Sequence, residues 1–159
     1  MPTSQSSAAT AATAATAATV APADVVVEFL EAWGRWDIDR VLELVTDDLE
    51  YINVSLPKIH GRDRLERMAR AIMRPDRVGF NAYLHHVATD GDVVLTDRTD
   101  ELTFRRFAAR FWVYGRFVVR DEKIAVWRDS FDWLDVTIGN LRGLLGLLSP
   151  ALNRDMPGR

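Results

Sequence analysis

The chain has 159 residues, a formal net charge of −3 at pH 7 and no cysteine, a length that suits one domain with a substantial hydrophobic core. The lack of cysteine excludes disulfides, thiolate catalysis and cysteine zinc sites, and it is compatible with a cytoplasmic location. The basic residues are scattered along the chain, so neither nucleic acid nor a membrane is predicted as a partner. Small molecules or proteins are favoured instead.

Composition divides the chain into three parts. Residues 1–23 carry no charged side chain and repeat Ala-Ala-Thr from Ala8 to Thr19. They lack the features of signal and transit peptides, and a disordered tail is predicted there. A folded domain is predicted over residues 24–150, followed by a flexible tail over residues 151–159.

Two helices are predicted at the start of the domain. Asp24 is the predicted N-cap of the first and Asp37 of the second, because an aspartate side chain accepts hydrogen bonds from the N–H groups of a first turn. The apolar residues at helical spacing are Val26, Phe29, Leu30 and Trp33 in the first helix, and Ile38, Val41, Leu42 and Val45 in the second.

A strand over Leu49–Val54 and a third helix from about Arg62 are predicted next. The third helix has an apolar face made of Leu65, Met68, Ala69 and Ile72. Four strand-like runs with short turns then indicate an antiparallel meander: Gly79–Ala88, Val93–Phe104, Phe107–Val119 and Lys123–Trp133. A last helix is predicted over Val136–Leu148. The fold class is α+β, a curved sheet with helices on one side.

Charged residues interrupt the apolar faces of two of these strands. Alternation places Arg98 and Asp100 together among the apolar residues of one strand, and Asp129 between Trp127 and Phe131 in another. Burying an unpaired carboxylate is costly. We therefore expect both aspartates and the arginine to meet in one pocket, where at least one carboxylate can hold a proton.

Tyr51 and Asn53 share one face of the first strand. Their phenol and carboxamide groups, together with a carboxylate, could hold a single water molecule by hydrogen bonds. Taken alone, a Tyr-x-Asn pair is often structural, and a buried Asp-Arg pair is as typical of a core as of a site. The combination of the two favours a functional site.

Three motifs in this order resemble the limonene-1,2-epoxide hydrolase family: Tyr51-Ile52-Asn53, Arg98-Thr99-Asp100 and the segment Trp-Arg-Asp-Ser-Phe-Asp at residues 127–132. The resemblance covers residues 24–148. It implies the cone-like fold of nuclear transport factor 2 and ketosteroid isomerase, with a strongly bent mixed sheet, about four helices packed on it and a deep pocket. It also implies a homodimer. Ser130 stands where an aromatic residue is expected.

Opening an epoxide requires an acid at its oxygen and a base that activates water. In the roles that the resemblance also implies, Asp129 is the base, Tyr51 and Asn53 hold the water, Asp100 is the acid, and Arg98 bridges the two carboxylates. No metal and no organic cofactor is required. The predicted substrate is a small hydrophobic epoxide.

The walls of the pocket are predicted from the remaining apolar positions. Substrate-binding candidates are Trp127, Phe131, Phe80 or Tyr83, Trp112 or Phe111, and the leucines of the last helix, including Leu144. That helix is read either as a core helix or as one that lines the pocket or a dimer contact. An isomerase or cyclase of the same fold, and a non-catalytic module that binds hydrophobic ligands, remain alternative functions.

Overall fold

The computed structural model describes residues 20–72 and 77–157, so the Ala-Ala-Thr repeat lies outside the described residues. The predicted α+β class is confirmed. The helices are α1 (Pro22–Arg35), α2 (Ile38–Glu43), α3 (Arg62–Ile72) and α4 (Trp133–Gly146), followed by a short 3-10 helix at Pro150–Leu152. The strands are β1 (Val45–Asn53), β2 (Ile59–His60), β3 (Val78–Asp90), β4 (Val93–Phe104), β5 (Phe107–Arg120) and β6 (Lys123–Ser130).

The six strands form one curved, mixed sheet in the order β2-β1-β6-β5-β4-β3. Strands β3 to β6 make the predicted antiparallel meander. The parallel pairing of β1 with β6 makes the sheet mixed, and it places Asn53 directly beside Asp129. The predicted site residues of β1 and those of β6 are therefore neighbours in the interior of the sheet.

The structure corrects two predicted element ends, at Asp24 and at Trp133. Helix α1 begins at Pro22, so Asp24 lies inside its first turn and is not the N-cap. The Asp37 side chain does cap α2, accepting a 3.0 Å hydrogen bond from the Arg40 backbone N–H. Trp133 opens α4 and does not end β6, because the Asp132 side chain caps this helix through the Leu134 N–H at 2.7 Å.

The hydrophobic core lies between α1, α3 and one face of the sheet, which we call the inner face. Phe29 of α1 contacts the rings of Phe117 and Trp127 edge-on, with ring centroids 6.3 and 5.0 Å apart. From α3, Leu65 and Ala69 are buried against the same cluster. The opposite face of the sheet is called the outer face.

Helix α4 covers the edge of β5 beyond the point where β6 ends. Its Gly139 and Gly143 face the strand, and a Cβ atom on Gly143 would lie 2.6 Å from the Ala108 carbonyl oxygen. The exposed edge amide of Trp112 donates a 2.8 Å hydrogen bond to Asp135 of α4. The glycines thus allow α4 to approach β5 closely, and the helix covers the edge of that strand.

The described part of the C-terminal segment contacts the rest of the domain. Over the residues for which a flexible tail is predicted, the chain packs against α4 and β5. Arg154 makes a 2.5 Å ion pair with Asp135, Asn153 donates to the Ala108 carbonyl at 3.0 Å, and Met156 is buried. Among the described residues, no helix is long and apolar enough to cross a membrane.

Candidate active site

Arg98 lies between two aspartates on the inner face. Its Nε and Nη2 atoms donate to the two oxygens of Asp100 at 2.8 and 3.2 Å. Nη2 also reaches Oδ2 of Asp129 at 2.7 Å. The side chains of Arg98, Asp100 and Asp129 are 0%, 8% and 6% exposed. The structure thus brings together the three charged residues that the strand pattern singles out, with one cation between two buried carboxylates.

Burial and the neighbouring charges shift the pKa values of Asp100 and Arg98 from those in solution. Loss of hydration raises the pKa of the Asp100 carboxyl to about 6, although the Arg98 charge opposes this shift, and the negative charge of Asp129 adds to it. For Arg98 itself, burial lowers the pKa, but the charges of Asp129 and Asp100 outweigh burial and raise it above its usual value. Arg98 therefore stays charged, while Asp100 can take up a proton near neutral pH.

Tyr51 and Asn53 lie beside this ion cluster on β1. The Asn53 Nδ2 group donates a 2.7 Å hydrogen bond to the Tyr51 hydroxyl oxygen. The Tyr51 ring stacks on Trp127 with centroids 4.0 Å apart. Burial and the negative charge of Asp129 both raise the pKa of the phenol above its usual value, so Tyr51 keeps its proton and remains a hydrogen-bond donor.

The two oxygens of Asp129 have different surroundings. Oδ2 is paired with Arg98, whereas Oδ1 is buried and has no hydrogen-bond partner among the described residues. A buried carboxylate oxygen without a partner is costly. Because Asn53 is the register partner of Asp129, the free oxygen lies in the neighbourhood of Tyr51 and Asn53, where a small hydrogen-bond donor would satisfy it.

A cavity of about 360 Å³ opens from this cluster between the inner face and the helices. Its polar members are Tyr51, Asn53, Asp100 and Asp129. Its other lining residues are Trp33, Trp36, Met68, Ala69, Ile72, Val78, Phe80, Leu102, Phe111, Val113, Trp127, Phe131, Trp133 and Val136. The cavity wall is apolar except for these four residues, which are neighbours around Arg98 and the β1–β6 pairing.

Of the predicted substrate-binding residues, Phe80, Trp127 and Phe131 line the cavity. Trp112 does not, and Phe111 takes its place. Register pairs Phe111 with Asp100 on the inner face and turns Trp112 to the outer face. There Trp112 stacks on His85 with centroids 4.8 Å apart and remains 40% exposed.

Leu144 is also absent from the cavity wall, and it is 55% exposed. Helix α4 reaches the cavity through Trp133 and Val136 at its first turn. Leu144 lies eight residues beyond Val136, or about 12 Å further along the helix axis. The glycine face of α4 meets β5 and directs most of its leucines to solvent.

Several lining residues were missed as site residues by sequence reasoning. Trp33, Met68, Ala69 and Ile72 fall on apolar helix faces, for which the helical spacing predicts core positions. Trp36 is the C-cap of α1 and has a left-handed backbone conformation, with φ 62°. This conformation is uncommon for tryptophan, so the sequence does not predict it. A helix face that packs on the sheet and one that lines a cavity carry the same apolar period, so the pattern cannot separate them.

Two of the three histidines contact the outer face. His85 hydrogen-bonds to Thr99 at 2.9 Å and His86 to Asp97 at 3.3 Å. A register shift in β3 between Leu84 and His86 brings both to that side. Within the described ranges, no group of three or more His, Asp or Glu side chains could hold a metal ion.

Comparison with known proteins agrees with this geometry. The family model of the limonene-1,2-epoxide hydrolase catalytic domain matches residues 20–142. The chain is 42% identical over 127 residues to epoxide hydrolase EphG of Mycobacterium tuberculosis, covering 80% of this chain and 84% of that protein. A solved M. tuberculosis epoxide hydrolase of the limonene-epoxide-hydrolase-like type aligns with a TM-score of 0.80 and 39% identity, over 85% of this chain and 95% of that one.

A more distant solved structure is SalBIII, an epoxide hydrolase/cyclase-like enzyme in pyran ring formation in the polyether salinomycin. It aligns with a TM-score of 0.64 and 18% identity, over 72% of this chain and 92% of that one, and shows the fold alone. The fold and the site together define an enzyme with the architecture of nuclear transport factor 2-like proteins. The chain belongs to the limonene-1,2-epoxide hydrolase family and is an epoxide hydrolase.

Proposed function

We propose that this epoxide hydrolase adds water to a hydrophobic epoxide, of terpene or lipid type, in one step and yields a vicinal diol. Asp129 acts as the general base, Asp100 as the general acid, and Arg98 holds both carboxylates in place. The observation that carries the proposal is the difference between the two aspartates. Both oxygens of Asp100 accept from Arg98, whereas Oδ1 of Asp129 is unpaired.

The hydrogen-bond inventory around Tyr51 supports a held water. Because the Asn53 amide donates to the Tyr51 oxygen, the Tyr51 O–H is left as a donor and the Asn53 carbonyl oxygen as an acceptor. A water there accepts from Tyr51 and donates its two hydrogens to Asn53 and to Oδ1 of Asp129. Its remaining lone pair is then free to attack carbon.

The proposed step balances without a co-reactant. The water oxygen forms a bond to one epoxide carbon while the bond between that carbon and the epoxide oxygen breaks. One water proton goes to Asp129, and the proton of Asp100 goes to the departing oxygen, which becomes the second hydroxyl. Return of a proton from Asp129 to Asp100 completes the cycle.

The shape of the cavity supports a hydrophobic substrate. Four neighbouring polar residues contribute to its wall, and aromatic and aliphatic side chains line the rest. A substrate whose epoxide is its most polar group would place that group against Asp100 and Asp129. Its hydrocarbon part would be buried against Phe80, Phe111 and Phe131, which favours binding by about 25 cal/mol for each Å² of apolar surface removed from water.

Single-turnover hydrolysis in ¹⁸O-water tests this mechanism. Limonene oxide, cyclohexene oxide and a steroid epoxide serve as a small panel, with enzyme in excess over epoxide. Direct attack by water predicts that the first diol formed carries the label. Unlabelled diol, with the label in an enzyme carboxylate, would mean a covalent ester intermediate and would overturn the one-step mechanism. If none of the three epoxides is turned over, the proposed substrate class is wrong.

We also propose that the protein is a homodimer. Four apolar side chains of α4 and one just beyond its C-terminal end recur at intervals of four and three residues and are at least 38% exposed: Leu134, Ile138, Leu141, Leu145 and then Leu148. Such a patch is typical of an interface. Sedimentation equilibrium is expected to give twice the chain mass of 18.0 kDa, and Leu141→Glu to lower it. Leu56→Glu, at a leucine that is 47% exposed in a loop, is the matched control.

A cytoplasmic location and the absence of nucleic acid and membrane partners stay predictions. The lack of cysteine is compatible with the location, and the even distribution of basic residues supports the prediction about partners. Cell fractionation, with a test for co-purified nucleic acid, would check both. Recovery in the membrane pellet, or a stoichiometric nucleic acid, would contradict them.

A further inference from the structure

The Arg98 guanidinium has to cross a strand to make its second ion pair. Arg98 lies on β4 and Asp129 on β6, and β5 runs between them. On β5, Gly115 is the register partner both of Thr96 on β4 and of Asp129 on β6. The 2.7 Å contact between Nη2 of Arg98 and Oδ2 of Asp129 therefore passes over β5 at Gly115.

The space above Gly115 is filled by the arginine. A Cβ atom at this position would lie under 3.0 Å from Nη1 of Arg98, from Oγ1 of Thr96 and from Cε2 of Phe117. The backbone does not require glycine here, because Gly115 is not among the glycines with positive φ, which are Gly61 and Gly91 within the described residues. Glycine is needed at position 115 because a larger residue would collide with these side chains.

Thr96 contacts Nη1 of Arg98, the guanidinium nitrogen that has no contact with either aspartate. Its hydroxyl oxygen accepts a 3.2 Å hydrogen bond from Nη1 of Arg98, and the residue is buried. With Nε and Nη2 on Asp100 and Nη2 on Asp129, this contact supplies a partner to the third nitrogen. Each of the three guanidinium nitrogens thereby has at least one acceptor, and these contacts fix the plane of the group.

We propose that Gly115 and Thr96 are positioning residues that set the bridge from Arg98 to both carboxylates, Gly115 by leaving a passage across β5 and Thr96 by orienting the guanidinium. Neither residue is proposed to touch substrate. The proposal rests on the proposed acid and base roles of Asp100 and Asp129. The ionisable groups that face the guanidinium are these two and Tyr51 on β1.

Thr96→Val and Thr96→Ser form the first test. Valine keeps the shape and removes the acceptor, and serine keeps the acceptor. Thr96→Val is expected to lower kcat/KM about tenfold, as for a buried charged N–H deprived of its partner, and Thr96→Ser to stay within about twofold of the parent. Equal values for the two variants would overturn the role of the hydroxyl.

The pH profile separates positioning from general destabilisation. The Arg98 charge holds the pKa of Asp100 below the value that burial alone would produce. A displaced guanidinium lets that pKa rise, so the alkaline limb of kcat/KM is expected to move to higher pH in Thr96→Val. A merely structural loss lowers the whole profile without moving the limb, and that result would overturn the proposal.

Gly115→Ala is the second test, with Gly34→Ala as its control. A Cβ at Gly34 would meet only the Phe80 carbonyl at an ordinary 3.7 Å, so this variant is expected to keep parent activity. Gly115→Ala is expected to lose about a hundredfold in kcat/KM and to show the same shifted alkaline limb. If Gly115→Ala folds and keeps parent kinetics, the passage is not required.

Failure of this proposal is distinguishable from failure of the proposed function. If Asp129→Asn abolishes hydrolysis while both position-96 variants and Gly115→Ala behave as the parent, the mechanism stands and the positioning role is wrong. If Asp129→Asn retains activity, the mechanism itself is wrong. Should Gly115→Ala not fold, the comparison of Thr96→Val with Thr96→Ser decides alone.

Discussion

The side-chain amide of Asn53 donates a 2.7 Å hydrogen bond to the hydroxyl oxygen of Tyr51. This single bond orients two groups at once, because it uses the lone pair of the phenol and leaves its hydrogen free. The Asn53 carbonyl oxygen is left free as well. A neighbouring water therefore meets one donor and one acceptor on β1, and the unpaired oxygen of Asp129 on β6.

Removal of the Tyr51 hydroxyl is expected to impair turnover more than binding. Tyr51→Phe keeps the ring that stacks on Trp127 and removes the donor to the water, so kcat should fall about ten- to a hundredfold, with KM changed less than threefold. Steady-state kinetics on limonene oxide measures both constants. Tyr83, named from the sequence as an alternative to Phe80, does not line the cavity and is 38% exposed. Tyr83→Phe should therefore match the parent, and an equal effect of both changes would contradict the water-holding role.

Asp129→Asn is expected to abolish hydrolysis and to preserve the fold. Asparagine has nearly the same shape, but it cannot accept the water proton, and loss of a general base lowers the rate by about 10²- to 10⁴-fold. Diol formation and circular dichroism are measured together. Asp121→Asn, in the turn between β5 and β6, is the control. Residual activity within tenfold of the parent would rule out Asp129 as the base.

Activity is expected to decline as the pH rises above about 6. The acid must be protonated, and burial raises the pKa of Asp100 to about 6, so only roughly a tenth of it carries a proton at pH 7. The logarithm of kcat/KM should fall with a slope near −1 above this pKa. A profile flat from pH 5 to pH 9 would argue against Asp100 as the acid.

The Asp100 carboxyl should affect folding stability in the opposite direction to a carboxylate whose pKa is lowered by folding. The folded pKa of Asp100 is raised, from 3.8 to about 6, so the folded state holds a proton that the unfolded chain releases between these values. Stability is thus lost as the pH rises from about 4 to about 6.

Asp100→Asn lacks this titration. The free energy of unfolding of the variant relative to the parent is expected to increase by up to about 3 kcal/mol across this window, since each pKa unit is worth about 1.4 kcal/mol. Denaturant titration at pH 4, 5, 6 and 7 measures it. A difference that is constant with pH would contradict the raised pKa.

Phe111 and Trp112 offer a matched test of the cavity wall. Phe111 lines the cavity, whereas Trp112 lies on the outer face with its indole N–H donating to Asp97. Phe111→Leu is expected to raise KM for hydrophobic epoxides at least threefold, because the substrate loses apolar contact area with the aromatic ring. Trp112→Leu should leave KM within about twofold. The reverse outcome would mean that the outer-face tryptophan contacts the substrate.

The residues that share a face of each strand can be identified from the amino-acid sequence alone. Side-chain alternation is a local property of the backbone, so Arg98 with Asp100, Tyr51 with Asn53, and Asp129 among aromatic residues could be recognised directly. The buried charge in those faces also indicated that the charged residues must meet, since leaving them apart is costly.

Tertiary structure decided how they meet. The order β6-β5-β4 places Gly115 under the arginine that joins Asp100 to Asp129, and sequence reasoning did not single out this glycine. It also decided that Phe111, and not Trp112, faces the cavity, and that α4 presents its first turn there while Leu144 points to solvent. These outcomes depend on strand order, register and helix rotation, which arise from packing between segments far apart in the chain and leave no local period to read.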